Sequence, residues 1–321
     1  MDIYKHVVKL MGCRFELCLA GNDMQQMQKC IQYVNKELSS LEKLLSTYEE
    51  KSETNLINKN AGICPVEVDP KVFELIEYSI SISELSKGAF DITYGSCNKQ
   101  FWNFDLNMTS LPEKDDSLII ENCINYKNII LDKEHHTVLL KEKNTRIGFG
   151  GIAKGLAADF GMELFKQEGF HNGYINASGD IRTWGHDSEK NNWTVGIKDP
   201  FKHEEIILDI EVCDGAVATS GNYERSVNIN GEQFSHTIDT ATGYPLQGLN
   251  SITIVAPNAT YADALATAVG VLDIENGLKL INQLDDVECF LIDKYKQYHA
   301  SANFRTDVCF HNTKSNFQNY K

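Results

Sequence analysis

Between residues 27 and 45 the apolar side chains Met27, Ile31, Val34, Leu38, Leu41 and Leu45 recur at steps of three and four. That spacing lines one face of a helix. About six turns of one-sided helix need an apolar layer to cover them. The flanking sequence supplies strands for such a layer. Residues 3–20 alternate as a hairpin, punctuated by Gly12 and Gly21-Asn22. After Ser46-Thr47-Tyr48 a polar stretch runs through Ala61-Gly62, and Asp69-Pro70 then offers a cap and a first-turn proline for a second helix. That helix carries Phe73, Ile76 and Ile80 and stops near Lys87-Gly88.

Further on, strand patterns are read at 128–131, 137–140, 173–176, 193–197, 206–212, 215–220, 223–229, 251–255, 289–293 and 298–303. Helical patterns fall at 152–166, 260–271 and 274–284, with a weaker one at 116–124 inside a polar, aromatic-dotted stretch. There is no repeat, no linker-like segment and no strict βαβ alternation. The expected fold class is therefore α+β, a single intertwined unit of mixed sheets and helices over 1–312, with a frayed polar tail at 313–321.

A length of 321 residues allows a sizeable core, and a formal charge of −15 argues against a nucleic-acid partner. It leaves room for a small anionic ligand, which needs only local donors. The nine cysteines include no Cys-x-x-Cys and read as scattered reduced thiols. Leu10-Met11-Gly12-Cys13 loosely resembles a lipoprotein cleavage box, but Asp2, Lys5, His6 and Lys9 interrupt the apolar segment that should precede it. As it stands the chain reads as cytoplasmic. A chain trimmed of a leader would read the same, and would then be periplasmic or membrane-anchored.

Four stretches carry chemistry. In 147–159, Ile-Gly-Phe-Gly-Gly-Ile-Ala-Lys-Gly-Leu-Ala-Ala-Asp, the pattern Gly148-x-Gly150-x-x-Ala153 fits a dinucleotide-binding turn, with a strand before and a helix after. It equally fits a tight strand-to-helix turn. It is no P-loop, because Gly155 follows Lys154. A lysine near a helix start favours an anion. Asp180, after Ala177-Ser178-Gly179, reads as a turn or cap residue. Thr260-Tyr261-Ala262-Asp263 reads as a capping box, although Asp263 and Thr267 share a helix face and could offer two hard oxygens to Mg²⁺. The run 235–245 is dense in proton and phosphate chemistry: His236 could be a general base oriented by Asp239, or the loop's polar groups could cap one another.

The order of these pieces decides between the readings. Met11-Gly12, then Ser46-Thr47-Tyr48 with Ser52 and Asn58, then Gly-Ala-Phe-Asp-Ile-Thr at 88–93, then Gly-Gly-Ile-Ala-Lys-Gly at 150–155, then Asn176 and Asp180, follow one another along the chain. Ser-Gly-Asn-Tyr-Glu-Arg at 220–225, Ser235-His236, the run 239–245 and Asp263-Ala264-Leu265-Ala266-Thr267 complete the series. In this order the sequence resembles the FAD:protein FMN transferases, the ApbE-type flavin transferases, over nearly its full length.

The resemblance implies an α+β, Mg²⁺-dependent enzyme that cleaves FAD between its phosphates. FMN would pass to a threonine hydroxyl of an acceptor protein, a respiratory or electron-transfer flavoprotein subunit, with release of AMP. Met11, Tyr48 and Ala89-Phe90-Asp91 would line the FAD, Lys154 would sit near it, and Ile238 would contribute through the chain beside His236. Gly151 main chain and the side chains of Asp263 and Thr267 would hold the metal. His236 would take the threonine proton, with Asp91 or Asp239 as alternatives. Two positions depart from the pattern. Gly148-Phe149 stands where most members carry Asp-Leu, at a flavin-side contact, and Asp239-Thr240 replaces Asp-Pro, a loss of turn rigidity. The same site would serve FAD hydrolysis to FMN and AMP, or a flavin-binding protein without turnover. A nicotinamide-linked oxidoreductase would rest on the glycine pattern alone.

Overall fold

Met11 (φ 51°) and Gly12 (φ 73°) both take left-handed backbone, as a two-residue turn between twisted antiparallel strands requires. They join β1 (Asp2–Leu10) to β2 (Cys13–Gly21) in unbroken register from Asp2↔Gly21 to Leu10↔Cys13. This computed structural model describes residues 1–96, 123–187, 189, 191–221, 226–229, 232–235, 237–243, 245–246 and 249–310. Asp23 accepts the Gln26 N–H and opens α1 (Met24–Leu45), whose six-residue apolar stripe is buried from end to end.

The chain continues through α2 (Glu53–Lys59), β3 (Val66–Glu67), α3 (Pro70–Leu85), β4 (Ile129–Asp132) and β5 (Thr137–Leu140). Then come α4 (Ala153–Gln167), β6 (Gly173–Ala177), β7 (Asp180–Trp184), β8 (Trp193–Asp199), β9 (Lys202–Cys213) and β10 (Ala216–Gly221). β11 (Ser226–Ile229), β12 (Glu232–Ser235), β13 (Leu249–Ala256), α5 (Ala259–Val271) and α6 (Ile274–Ile281) lead to β14 (Glu288–Asp293), β15 (Tyr298–Ala300) and β16 (Asp307–Cys309).

One eight-stranded sheet, ordered β1-β2-β6-β7-β10-β13-β14-β15, organises the molecule, and each neighbouring pair in it runs antiparallel. α4 packs on β6 and β7, α5 on β10 and β13, and α1 on β1 and α4. The opposite face takes the small sheet β16-β9-β8. β10 shows the consequence. Ala216 and Ala218 belong to the helix-side core, while Val217 joins Val255, Ile210, Val212 and Phe310 on the other side. Helices, large sheet and small sheet thus form three layers, with the central strands buried on both faces.

The α+β class follows from these pairings. The strand that follows α4, β6, pairs antiparallel with both its neighbours, so the dinucleotide-fold alternative lacks its βαβ unit. Five elements depart from the sequence reading. α2 occupies the polar stretch before Gly62, where Ser52 caps Asn55 N–H at 3.1 Å. β7 begins at Asp180 itself, across a hairpin turn made by Ser178 (φ 56°) and Gly179 (φ 103°). β3, β12 and β16 are strands that the sequence reading does not expect. The capping box at Thr260 is corrected too: Asn258 is the cap, accepting Tyr261 N–H at 2.8 Å, and Thr260 lies inside the helix. The helix expected at 116–124 lies, but for its last two residues, outside the described residues, as does the tail from 311. Among the described residues no helix is long and apolar enough to cross a membrane.

Candidate active site

α4 begins without a side-chain cap of its own on Ile152. Its free N–H of Gly155 is taken instead by Asp263 of α5, at 3.1 Å. The debt is returned: Asp159 of α4 accepts Ala259 N–H (3.0 Å), Thr260 N–H (2.8 Å) and the Thr260 hydroxyl (2.6 Å) at the start of α5. Each helix therefore caps the other, and both N-termini meet at one place. Such an approach excludes a side chain at 155, where a Cβ would stand 2.2 Å from the Ala259 carbonyl oxygen. Arg182, itself buried, supports Asp159 from β7 at 3.3 Å and donates to the Asp214 and Pro257 carbonyls.

Lys154, second residue of α4, reaches into this junction. Its ammonium bonds Asp180 at the start of β7 and lies 4.0 Å from Asp263 Oδ1. Asp180 is 2% exposed and Asp263 5%. Burial pulls the lysine pKa down, but Asp180 and Asp263 outweigh it and hold the ammonium charged well above the usual lysine range. For Asp263 burial dominates and raises the carboxyl above its ordinary value, against the opposing pull of Lys154 and the backbone N–H groups of 154 and 155. Thr267 follows Asp263 by one helical turn. Gly151 lies directly against it, since a Cβ at 151 would stand 2.6 Å from Thr267 Oγ1.

The structure thus brings together Gly151, Lys154, Asp263 and Thr267, and adds Asp180, which the sequence offered as a turn or cap residue and a member of the motif series without a stated role. A carboxylate, a hydroxyl and a main-chain carbonyl are hard oxygen donors, the set a Mg²⁺ ion takes when substrate phosphates complete its shell. Among the described residues no group of three or more His, Cys, Asp or Glu could hold a metal by itself. The residues present fit a cation shared with a phosphate ligand.

The remaining candidates lie at several depths. Ala89 and Phe90 are buried, and Asp91 holds the backbone that follows. Asp91 Oδ1 accepts the Thr93 N–H and hydroxyl (2.8 and 2.6 Å) and Oδ2 accepts Tyr126 N–H (2.8 Å). Burial raises its pKa, against those three donors. Tyr48 is 97% exposed. Met11 sits in the first hairpin turn and donates its N–H to Glu42 at 2.7 Å. Ile238 bridges Pro245 in a turn that Asp239 secures, accepting Ala241 N–H and the Thr242 hydroxyl at 2.8 Å each. Thr240 does not leave that turn loose: its hydroxyl donates to the Gly88 carbonyl at 2.8 Å, tying it to the 88–91 segment. Gly148 borders a cavity of about 340 Å³ with Thr47, Asn58, Tyr94 and Arg146. His236 and residues 222–225 lie outside the described residues.

Sequence reasoning missed Asp180 as the lysine's partner, Asp159 as a cap, and Tyr94. Asp180 carried one usable signal, its place in the ordered motif series. Asp159 and Tyr94 carried none, because their partners are about 100 and 56 residues away in the chain.

An antiparallel α+β frame in which a lysine and two carboxylates meet at two facing helix starts can be set beside known proteins. Residues 11–291 match the model of the ApbE family, and the chain belongs to that family. Two relatives, each named FAD:protein FMN transferase, come from Klebsiella pneumoniae and Treponema pallidum. The first is 28% identical over 302 residues, covering 94% of this chain and 92% of the relative. The second is 31% identical over 280 residues, covering 83% and 77%. Among solved structures, the ApbE protein of Thermotoga maritima superposes with a TM-score of 0.85 at 28% identity, over 94% of this chain and 97% of that one. The flavin transferase ApbE of Vibrio cholerae, at 22% identity, shares the fold with a TM-score of 0.80 over 94% and 98%.

Proposed function

We propose that this chain is an FAD:protein FMN transferase that moves FMN from FAD onto a threonine hydroxyl of an acceptor protein and releases AMP, with Mg²⁺ held by Asp263, Thr267 and the Gly151 carbonyl. The observation that carries the reading is the meeting of Lys154, Asp180 and Asp263 at the two facing helix N-termini, with Gly151 against Thr267. The names of the relatives support the substrate.

The threonine oxygen forms a bond to the FMN-side phosphorus while the bond from that phosphorus to the bridging oxygen breaks, and AMP leaves with the electron pair. Phosphoryl transfer of this kind depends mainly on positioning and charge. Lys154 supplies a fixed positive charge and the start of α4 supplies oriented N–H groups. Bound Mg²⁺ would neutralise charge on the diphosphate. His236 is the base of choice, since the oxygens of Asp91 and Asp239 already accept neighbouring N–H and O–H donors. Asp91 serves this reading as the anchor of the flavin-side loop. The acceptor is a respiratory or electron-transfer flavoprotein subunit.

The test is to incubate the full chain with FAD, Mg²⁺ and such an acceptor, and to look for flavin fluorescence on the acceptor after denaturation. The expected result is protein-bound flavin in step with AMP. AMP and free FMN, with no bound flavin, would replace transfer by hydrolysis.

A further inference from the structure

The glycines of the turn before α4 are walled in from two sides. On one side Thr267 faces Gly151. On the other, Tyr94 Oη lies where side chains at both 148 and 150 would begin, 3.1 Å from a Cβ at 148 and 2.8 Å from one at 150. The same hydroxyl accepts the Gly150 N–H at 3.2 Å.

Tyr94 is itself firmly placed. Its backbone bridges Arg146, and the flanking segment is stitched by Gly148 N–H to the Ile92 carbonyl (2.9 Å) and Arg146 N–H to Ser96 Oγ (2.8 Å). Asn58 reads the Ile147 peptide from the far side, donating to its carbonyl at 3.0 Å and accepting its N–H at 2.7 Å. The phenol therefore projects from a braced strand-like segment onto the turn. It also forms a wall of the cavity of about 340 Å³, whose lining includes the cations Lys59 and Arg146.

We propose that Tyr94 is a positioning residue for the nucleotide. Its hydroxyl holds the Gly150 peptide so that Gly151 stays against Thr267, and it takes the place of a side chain at 148, so the nucleotide meets a phenol rim there. This rests on the FAD reading above. It makes Tyr94 and Gly148 an interdependent pair. A methyl group at 148 crowds the phenol oxygen at 3.1 Å, so that the ring must give way slightly, but meets Tyr94 Cζ at 3.4 Å and Thr47 Cγ2 at 3.6 Å, both ordinary contacts.

The experiment titrates FAD into the full-length protein with divalent cations chelated, following flavin fluorescence, for wild type, Tyr94→Phe, Gly148→Ala and the double variant, with a melting temperature for each. Tyr94→Phe should weaken FAD binding about three- to tenfold, the loss of one neutral hydrogen bond, with melting within about 2 °C of wild type. Gly148→Ala should weaken it by a similar factor. The double variant should be no weaker than either single one, because the crowding disappears with the hydroxyl. Unchanged FAD affinity in Tyr94→Phe would overturn the role of the phenol, and that variant stands alone should Gly148→Ala misfold. Multiplying effects in the double variant would overturn the pairing. Wild type that binds no FAD would sink the flavin reading itself, and this inference with it.

Discussion

Lys154 keeps its charge in a poorly solvated place because Asp180 and Asp263 reach it from two different elements. Replacing it by methionine leaves two buried carboxylates facing one another without a cation. Lys154→Met should therefore cost about 3–5 kcal/mol of stability, measured by urea unfolding. Adding Asp180→Asn should recover part of that loss, and purely additive losses would contradict the pairing. Most of this arrangement was legible in the sequence. Lys154, Gly151, Asp263 and Thr267 stand in short local patterns whose spacing can be read. Asp180 could be seen as a motif residue but not as a partner, because a hairpin turn and 26 residues separate it from the lysine. Thr240 was read as a weakened turn for the same reason: its hydroxyl finds Gly88, 152 residues away, and no local pattern announces that bond.

At the scale of elements, α4 and α5 depend on each other's carboxylates for their first turns. Asp159→Ala would orphan two buried N–H groups and the Thr260 hydroxyl, and would strip Arg182 of its counter-ion. The expected loss is about 3–5 kcal/mol, with Asp159→Asn costing less, both read from denaturant midpoints at unchanged slope. A loss below about 1 kcal/mol would show that the reciprocal caps contribute little. The long elements were legible because periodicity and caps agree over many residues, as in α1 with Asp23 and α3 with Asp69-Pro70. The short ones were not. The seven residues of α2 are held by Ser52, by Asn55 bonding the Thr47 and Glu49 carbonyls, and by Asn58 on Ile147, so polar tertiary bonds stand in for an apolar stripe. β16 exists only because β9 lies parallel beside it.

Across the whole molecule, three layers bury the central strands on both faces and leave the facing starts of α4 and α5 as the place where a lysine, two carboxylates and a hydroxyl converge. The net charge of −15 makes that local cation more telling, since it lies in a chain that repels anions at long range. The fold class was readable from the mixture of periods, whereas strand order was not, because it is set by which faces meet in space. The most direct measurement is AMP release from FAD by the full chain supplied with its acceptor, with and without Mg²⁺, for wild type and Asp263→Asn. The asparagine keeps an acceptor for Gly155 N–H and removes only the charge, so the fold is preserved. The expected result is AMP that appears with Mg²⁺ in wild type and falls at least a hundredfold in Asp263→Asn, about 2.7 kcal/mol of lost transition-state stabilisation. Equal AMP release by the two proteins, or release indifferent to Mg²⁺, would contradict the assignment of this junction as the site of diphosphate cleavage.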